Sequence, residues 1–223
     1  MVRVVALVDG SNLYHSLKEF DRDPDSGKPL GAKHHLKWLD IDALVRALLH
    51  PRNDELQGIW YFSAIAHWNE VDARRRQEAF FQALEYTGLS TEIRGHKKNR
   101  SRCPKCQKQF KTYVENGNDV AFASRILELA FDDAFDKMLL FTADSDFVPA
   151  VETVRRRFPD KEITVVMTSE RSRNSRELVL SANGLIRLQE YHFARNLLPA
   201  VVEDGRGRVV ARPDRYAPQP AAE

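Results

Sequence analysis

The chain has 223 residues, 43% of them hydrophobic, enough for one generous domain with a real core. Its 34 Lys and Arg nearly balance 32 Asp and Glu, leaving a formal charge of +2, so any affinity for nucleic acid must come from local patches and not from global attraction. No apolar run approaches bilayer-spanning length, the opening Met1-Val2-Arg3-Val4-Val5 lacks a secretory pattern, and Cys103 and Cys106 suit a reducing compartment, so a cytoplasmic location is expected.

In chain order, Arg3 to Val8 reads as a buried strand running straight into Asp9-Gly10-Ser11-Asn12, and the first helix follows. Residues 21–35, with Pro24, Gly27, Pro29 and Gly31, read as a loop. Asp40 to Leu49 is a helix, Gly58 to Ala64 a strand, Glu70 to Tyr86 a helix and Leu89 to Arg94 a strand. Residues 95–114 are basic and poor in apolar side chains, and read as a small Cys-containing insertion. A helix from Asp119 to Phe131, a strand from Lys137 to Thr142 ending in Ala143-Asp144-Ser145-Asp146, a helix from Phe147 to Phe158 and a strand from Glu162 to Met167 complete the pattern. The alternation predicts an α/β fold, and uninterrupted Val, Leu and Ile runs predict parallel strands covered on both faces. Residues 1–199 form the expected domain, and the Arg-, Pro- and Ala-rich 200–223 a flexible tail.

In an open parallel sheet, ligands bind outside the carboxyl ends of the strands. Asp9, Asp144 and Asp146 stand at such ends, and Asp119 opens a helix that packs on the sheet. Carboxylates gathered there repel one another unless a divalent ion neutralises them, and oxygen donors suit Mg²⁺ or Mn²⁺. Such a site fits phosphodiester hydrolysis. Asn12, one turn past Asp9, is placed to orient a phosphate oxygen or a metal-bound water. Asp146 and Asp119 taken singly also fit helix N-terminal positions, where an acid is stabilising without any catalytic role.

Val8-Asp9-Gly10-Ser11-Asn12-Leu13-Tyr14, Lys37-Trp38-Leu39-Asp40-Ile41, Tyr61-Phe62-Ser63-Ala64, Asn118-Asp119-Val120-Ala121 and Thr142-Ala143-Asp144-Ser145-Asp146-Phe147-Val148-Pro149 resemble, in order, the motifs of the NYN family of PIN-like nucleases. The resemblance implies a PIN-like (Rossmannoid) parallel sheet flanked by helices and a Mg²⁺- or Mn²⁺-dependent ribonuclease site. It also implies acidic ligands at Asp9, Asp119, Asp144 and Asp146, with the motif asparagine at Asn12. Two departures stand out: Glu115-Asn116 replaces a Glu-Lys pair, and Thr142-Ala143 stands where similar sequences often have Ser-Gly or Ser-Asn.

Lys97, Lys98, Arg100, Arg102, Lys105, Lys108 and Lys111 form a positive segment directly before the Asp119 helix, suited to an RNA backbone, with Phe110 and Tyr113 available for base stacking. Cys103 and Cys106 have the spacing of half a structural zinc site. Its other ligands would be His96, His34, His35 or a pair from a second copy, which makes a homodimer an expectation. The expected function is a metal-dependent endoribonuclease acting on single-stranded or loop RNA. The alternative is an RNA-binding regulator with a vestigial site. A phosphoacceptor receiver domain is disfavoured because the paired acids usual near its first strand are missing here, and neither a dinucleotide fingerprint nor a Walker A loop is present.

Overall fold

Val4, Val5, Ala6, Leu7 and Val8 are all fully buried, which requires a central strand covered on both faces. The computed structural model, which describes residues 1–22, 26, 28, 31, 33–65, 71–102, 104–115 and 117–218 and gives the backbone alone at 96–101 and 110–115, places them so. β1 (Val2–Asp9), α1 (Gly10–Glu19), a 3-10 turn (His34–Lys37), α2 (Ile41–Arg46), β2 (Asp54–Ala64), α3 (Val71–Tyr86) and β3 (Ser90–Arg94) come first. A hairpin of β4 (His96–Arg102) and β5 (Gln109–Glu115) leads to α4 (Asn118–Phe131), β6 (Lys137–Phe141), a 3-10 turn (Ser145–Phe147), α5 (Val148–Arg157) and β7 (Glu162–Thr168). α6 (Ser169–Asn174), α7 (Arg176–Ser181), β8 (Gly184–Leu188), α8 (Glu190–Ala194), β9 (Val201–Glu203), β10 (Val209–Ala211) and a last 3-10 turn (Asp214–Tyr216) follow.

The main sheet has six strands in the order β3-β2-β1-β6-β7-β8, and every neighbouring pair is parallel. Because side chains alternate along β1, Val4, Ala6 and Val8 meet Leu13 and Leu17 of α1, Leu44 of α2 and Leu84 of α3. Val5 and Leu7 point the other way, toward Phe122 and Ile126 of α4 and Val151 and Val154 of α5. The chain winds outward from β1 through β2 to β3, then returns to the other side of β1 with β6. The reversal falls between β1 and β6, where an α/β sheet opens its binding crevice.

All five expected strands are present; β8 was not anticipated. It is a half-buried edge strand of five residues, too short to show a decisive period. The expected helix start at Glu70 and the loop residues Pro24, Gly27 and Pro29 lie outside the described residues. The basic insertion folds as a separate antiparallel hairpin, registered from His96↔Glu115 to Arg102↔Gln109. Its first strand, HKKNRSR, has no apolar alternation, so backbone pairing defines it and a hydrophobic pattern could not.

Up to residue 218 the expected flexible tail is corrected, residues 219–223 lying outside the described residues: β9 and β10 pair antiparallel, and Val202 and Val210 are buried against Trp38, Ala83 and Leu198. Trp38 Nε1–H also donates to the Pro199 carbonyl at 2.7 Å. Val202 and Val210, with Tyr216 packed against the same cluster, dock a segment whose many charged and Pro residues mask them in its average composition. Among the described residues no helix is long and apolar enough to cross a membrane.

At the amino ends of the central strands β1 and β6, Arg3 bonds Asp136 through Nε (3.1 Å) and Nη2 (2.7 Å), and Asp136 also accepts the Arg3 backbone N–H at 2.7 Å. These bonds to the Arg3 side chain and backbone hold the Asp136 carboxyl down at about 2. A group whose folded pKa is lowered stabilises the fold above its unfolded pKa and loses that contribution as pH falls through the folded value. Asp136→Asn is therefore expected to destabilise the protein at neutral pH and to flatten the loss of stability between about pH 4 and about pH 2, as read by denaturant titration across that range.

Candidate active site

β1 ends at Asp9, which caps α1: Asp9 Oδ1 accepts the Asn12 backbone N–H at 3.0 Å. β6 ends beside it, since Val8 pairs with Phe141, and the next residue is Thr142. The Thr142 hydroxyl, on a residue 1% exposed, donates to Asp9 Oδ2 at 3.1 Å and accepts the Asp144 N–H at 3.2 Å. Asp144 Oδ1 in turn accepts the Asp146 N–H at 2.9 Å and caps the Ser145–Phe147 turn. Asp9, Thr142, Asp144 and Asp146 thus form one hydrogen-bonded chain across the β1/β6 reversal. Asp9 is buried, Asp144 half-buried and Asp146 exposed. Sequence reasoning missed Thr142; a hydroxyl at the last step of a strand before two acids was the available signal.

Asp119 is exposed in the first turn of α4. Phe122, on the same helix face one turn later, contacts Phe62 (ring centroids 5.0 Å apart) and Phe147 (4.6 Å). Phe62 is the β2 partner of Asp9, and Phe147 follows Asp146, so α4 carries Asp119 to the same rim. Beside it, Asn118 is 3% exposed and its Oδ1 has no hydrogen-bond partner among the described residues. The expected tight group of four acids is looser than anticipated. Among the described residues no three His, Cys, Asp or Glu side chains are drawn together to hold one ion.

Asn12 does not stand alone either. Its Oδ1 accepts from Arg171 Nη1 at 3.1 Å, and Arg171 Nε pairs with Glu19 Oε1 at 2.6 Å. α6, which follows β7, thereby brings a guanidinium to the rim that the sequence pattern did not indicate. On the other flank, Gly10 lies where β2 crosses closely: a Cβ there would fall on the Tyr61 hydroxyl and within 2.9 Å of the Phe62 carbonyl oxygen. Burial pushes the Tyr61 phenol far above its usual range and the Asp9 charge adds to this, so the ring stays neutral.

Of the basic segment, Arg102, Lys105 and Lys108 are exposed near the hairpin tip. The side chains of Lys97, Lys98, Arg100, Lys111, Phe110 and Tyr113 lie outside the described residues, as does that of His96. Cys106 is exposed with a free thiol, and Cys103 lies outside the described residues. His34 is engaged elsewhere, with Lys37 Nζ 2.9 Å from Nδ1 and Arg215 Nη2 3.1 Å from Nε2.

A protein of unknown function from Vibrio parahaemolyticus is similar in structure over 88% of this chain and 96% of its own, with 20% sequence identity and a TM-score of 0.54, which shows a shared fold. No curated protein matches the chain in sequence. The NYN domain model matches residues 3–189, from β1 to just past β8, and so includes the β1/β6 rim and α4. On that match, which covers most of its length, the chain belongs to the NYN domain family.

Proposed function

We propose that this protein is a metal-dependent endoribonuclease that hydrolyses phosphodiester bonds of single-stranded or loop RNA in the cytoplasm. The observation that supports it most is the Asp9–Thr142–Asp144 chain, which ties the Asp9 carboxylate to the backbone of Asp144 at the sheet's reversal inside an NYN domain. The donor set fits a hard ion, because Mg²⁺ keeps several waters and is commonly held by one or two carboxylates plus substrate phosphate, so three converging side chains are not required. Asp9 and Asp144 would hold Mg²⁺ or Mn²⁺, with Asp119 and Asp146 acting through water. Such an ion supplies an acidified water and charge neutralisation at phosphate. The protein's own contribution is to fix the Asp9 carboxylate and the Asp144 backbone through Thr142, keep Asn12 oriented through Arg171, and offer Arg102, Lys105 and Lys108 to the strand.

Incubating a labelled single-stranded RNA with the protein and Mn²⁺ tests this reading: internal cleavage that EDTA abolishes is expected. The regulator reading draws support from the absence, among the described residues, of a three-ligand cluster; it expects retained RNA and no product with any divalent ion. Thr142→Val removes the bridging hydroxyl at nearly constant volume, and loss of such an outer partner is expected to lower activity about 10- to 100-fold. Thr142→Ser, which keeps the hydroxyl, should retain most of the rate, and initial rates of the two variants check the point.

A further inference from the structure

One residue past Asp9, Gly10 and Ser11 form the edge of a cavity of about 320 Å³ enclosed by α1, the end of β2, α3 and the C-terminal turn. This volume lies at the small end of the range of about 300–1,000 Å³ typical of ligand sites. Its walls combine aromatic rings, Tyr14, Phe80 and Tyr216, with the cations Lys37 and Arg76. Lys18 Nζ and Lys37 Nζ stand 4.4 and 5.3 Å from the centroid of the Tyr14 ring. Among the described residues none of Lys18, Lys37 and Arg76 is ion-paired with a carboxylate. Cations that form no ion pair with a carboxylate among the described residues, set around a small pocket, call for an anion, and flat rings beside them call for a planar group.

We propose that this cavity is a nucleotide pocket that takes one nucleoside monophosphate unit, its base against Tyr14 and Tyr216 and its phosphate against Lys37 and Arg76. The proposal deepens the nuclease reading and rests on it only in assigning the unit to the RNA being cut; the pocket's chemistry would equally receive a free nucleotide. Burial holds the Lys37 ammonium below its usual value, and the nearby Lys18, Arg215 and Arg76 push the same way with Asp21 opposing. Tyr216 lies outside the residues matched by the NYN model, so the wall it forms is added by the segment that follows the domain.

Binding is measured with EDTA present, so that no cleavage intervenes. Two probes are used, a fluorescently labelled single-stranded RNA octamer followed by anisotropy and unlabelled AMP or UMP followed by calorimetry. Arg76→Gln and Tyr216→Leu are each expected to weaken octamer binding about tenfold, within the loss seen when a stacked base loses its aromatic partner. Competition of AMP or UMP with the octamer shows that the pocket accepts either source; octamer binding that depends on both residues without mononucleotide binding assigns it to the strand. A measurement on the wild type is independent of variant folding: slowed hydrogen exchange at residues 10–17 and 211–217 on adding the octamer is expected. Unchanged octamer affinity in both folded variants, or no protection of those segments while the octamer is bound, overturns the pocket. Neither result bears on whether the wild type cleaves RNA with Mn²⁺, which tests the nuclease reading separately.

Discussion

Asp144→Asn is expected to lower Mn²⁺-dependent RNA cleavage by at least about 10²- to 10³-fold, the usual loss when one preorganised electrostatic group is removed from a site. The substitution keeps size and shape, and the Asn Oδ1 can still accept the Asp146 N–H, so the cap of the Ser145–Phe147 turn survives. What disappears is the negative charge. Asp9→Asn should act similarly, because Oδ1 keeps the Asn12 N–H while the other position changes from acceptor to donor against Thr142. Groups that serve one ion act as a unit, so the double variant should lose little more than either single one. Initial rates on a labelled RNA, with thermal melting to verify folding, give the comparison. Wild-type rates in folded Asp144→Asn would remove this residue from the site.

Gly10→Ala is expected to destabilise the protein by about 1–3 kcal/mol, the usual range for overpacking. That corresponds to a fall in Tm of about 2–4 °C per kcal/mol for a chain of this size. Gly10 is not among the glycines with positive φ, so the backbone would accept alanine; space is what excludes it. The added methyl would meet the Tyr61 hydroxyl and lie 2.9 Å from the Phe62 carbonyl oxygen. Tyr61→Phe in the Gly10→Ala background removes the first obstacle and leaves the second, so partial recovery of Tm is expected, and a double-mutant cycle measures the coupling. A Gly10→Ala protein that melts with the wild type would show that β2 yields freely. The glycine after the first acid of the motif is thus explained by the close passage of β2, which also positions Tyr61 beside the site and at the cavity wall.

The central strands were legible because Val4–Val8 and Met138–Phe141 are continuous apolar runs, a pattern produced by burial on both faces. Asp9, Asp144 and Asp146 were legible because they stand just beyond those runs, and Asp119 because it opens a helix with an apolar face. β8 and β9–β10 escaped notice for a common reason: each is short, and each owes its stability to a neighbour and not to its own period. Val202 and Val210 are informative only once Trp38 and Ala83 are known to lie beneath them. The cationic cavity was equally hidden. Tyr14, Lys37, Arg76 and Tyr216 come from four separate places in the chain, and none belongs to the basic segment 95–114.

From the sequence alone came an α/β parallel sheet, acids at strand ends and the family likeness, since periodicity and local motifs report which faces are buried and what stands where a strand stops. Strand order, the Thr142 bridge to an aspartate 133 residues away, the convergence of Arg171 on Asn12 and the docked C-terminal hairpin were decided by tertiary structure. Those features depend on which distant segments share the buried surface, and that choice is made by packing of the whole chain, beyond the reach of any local window.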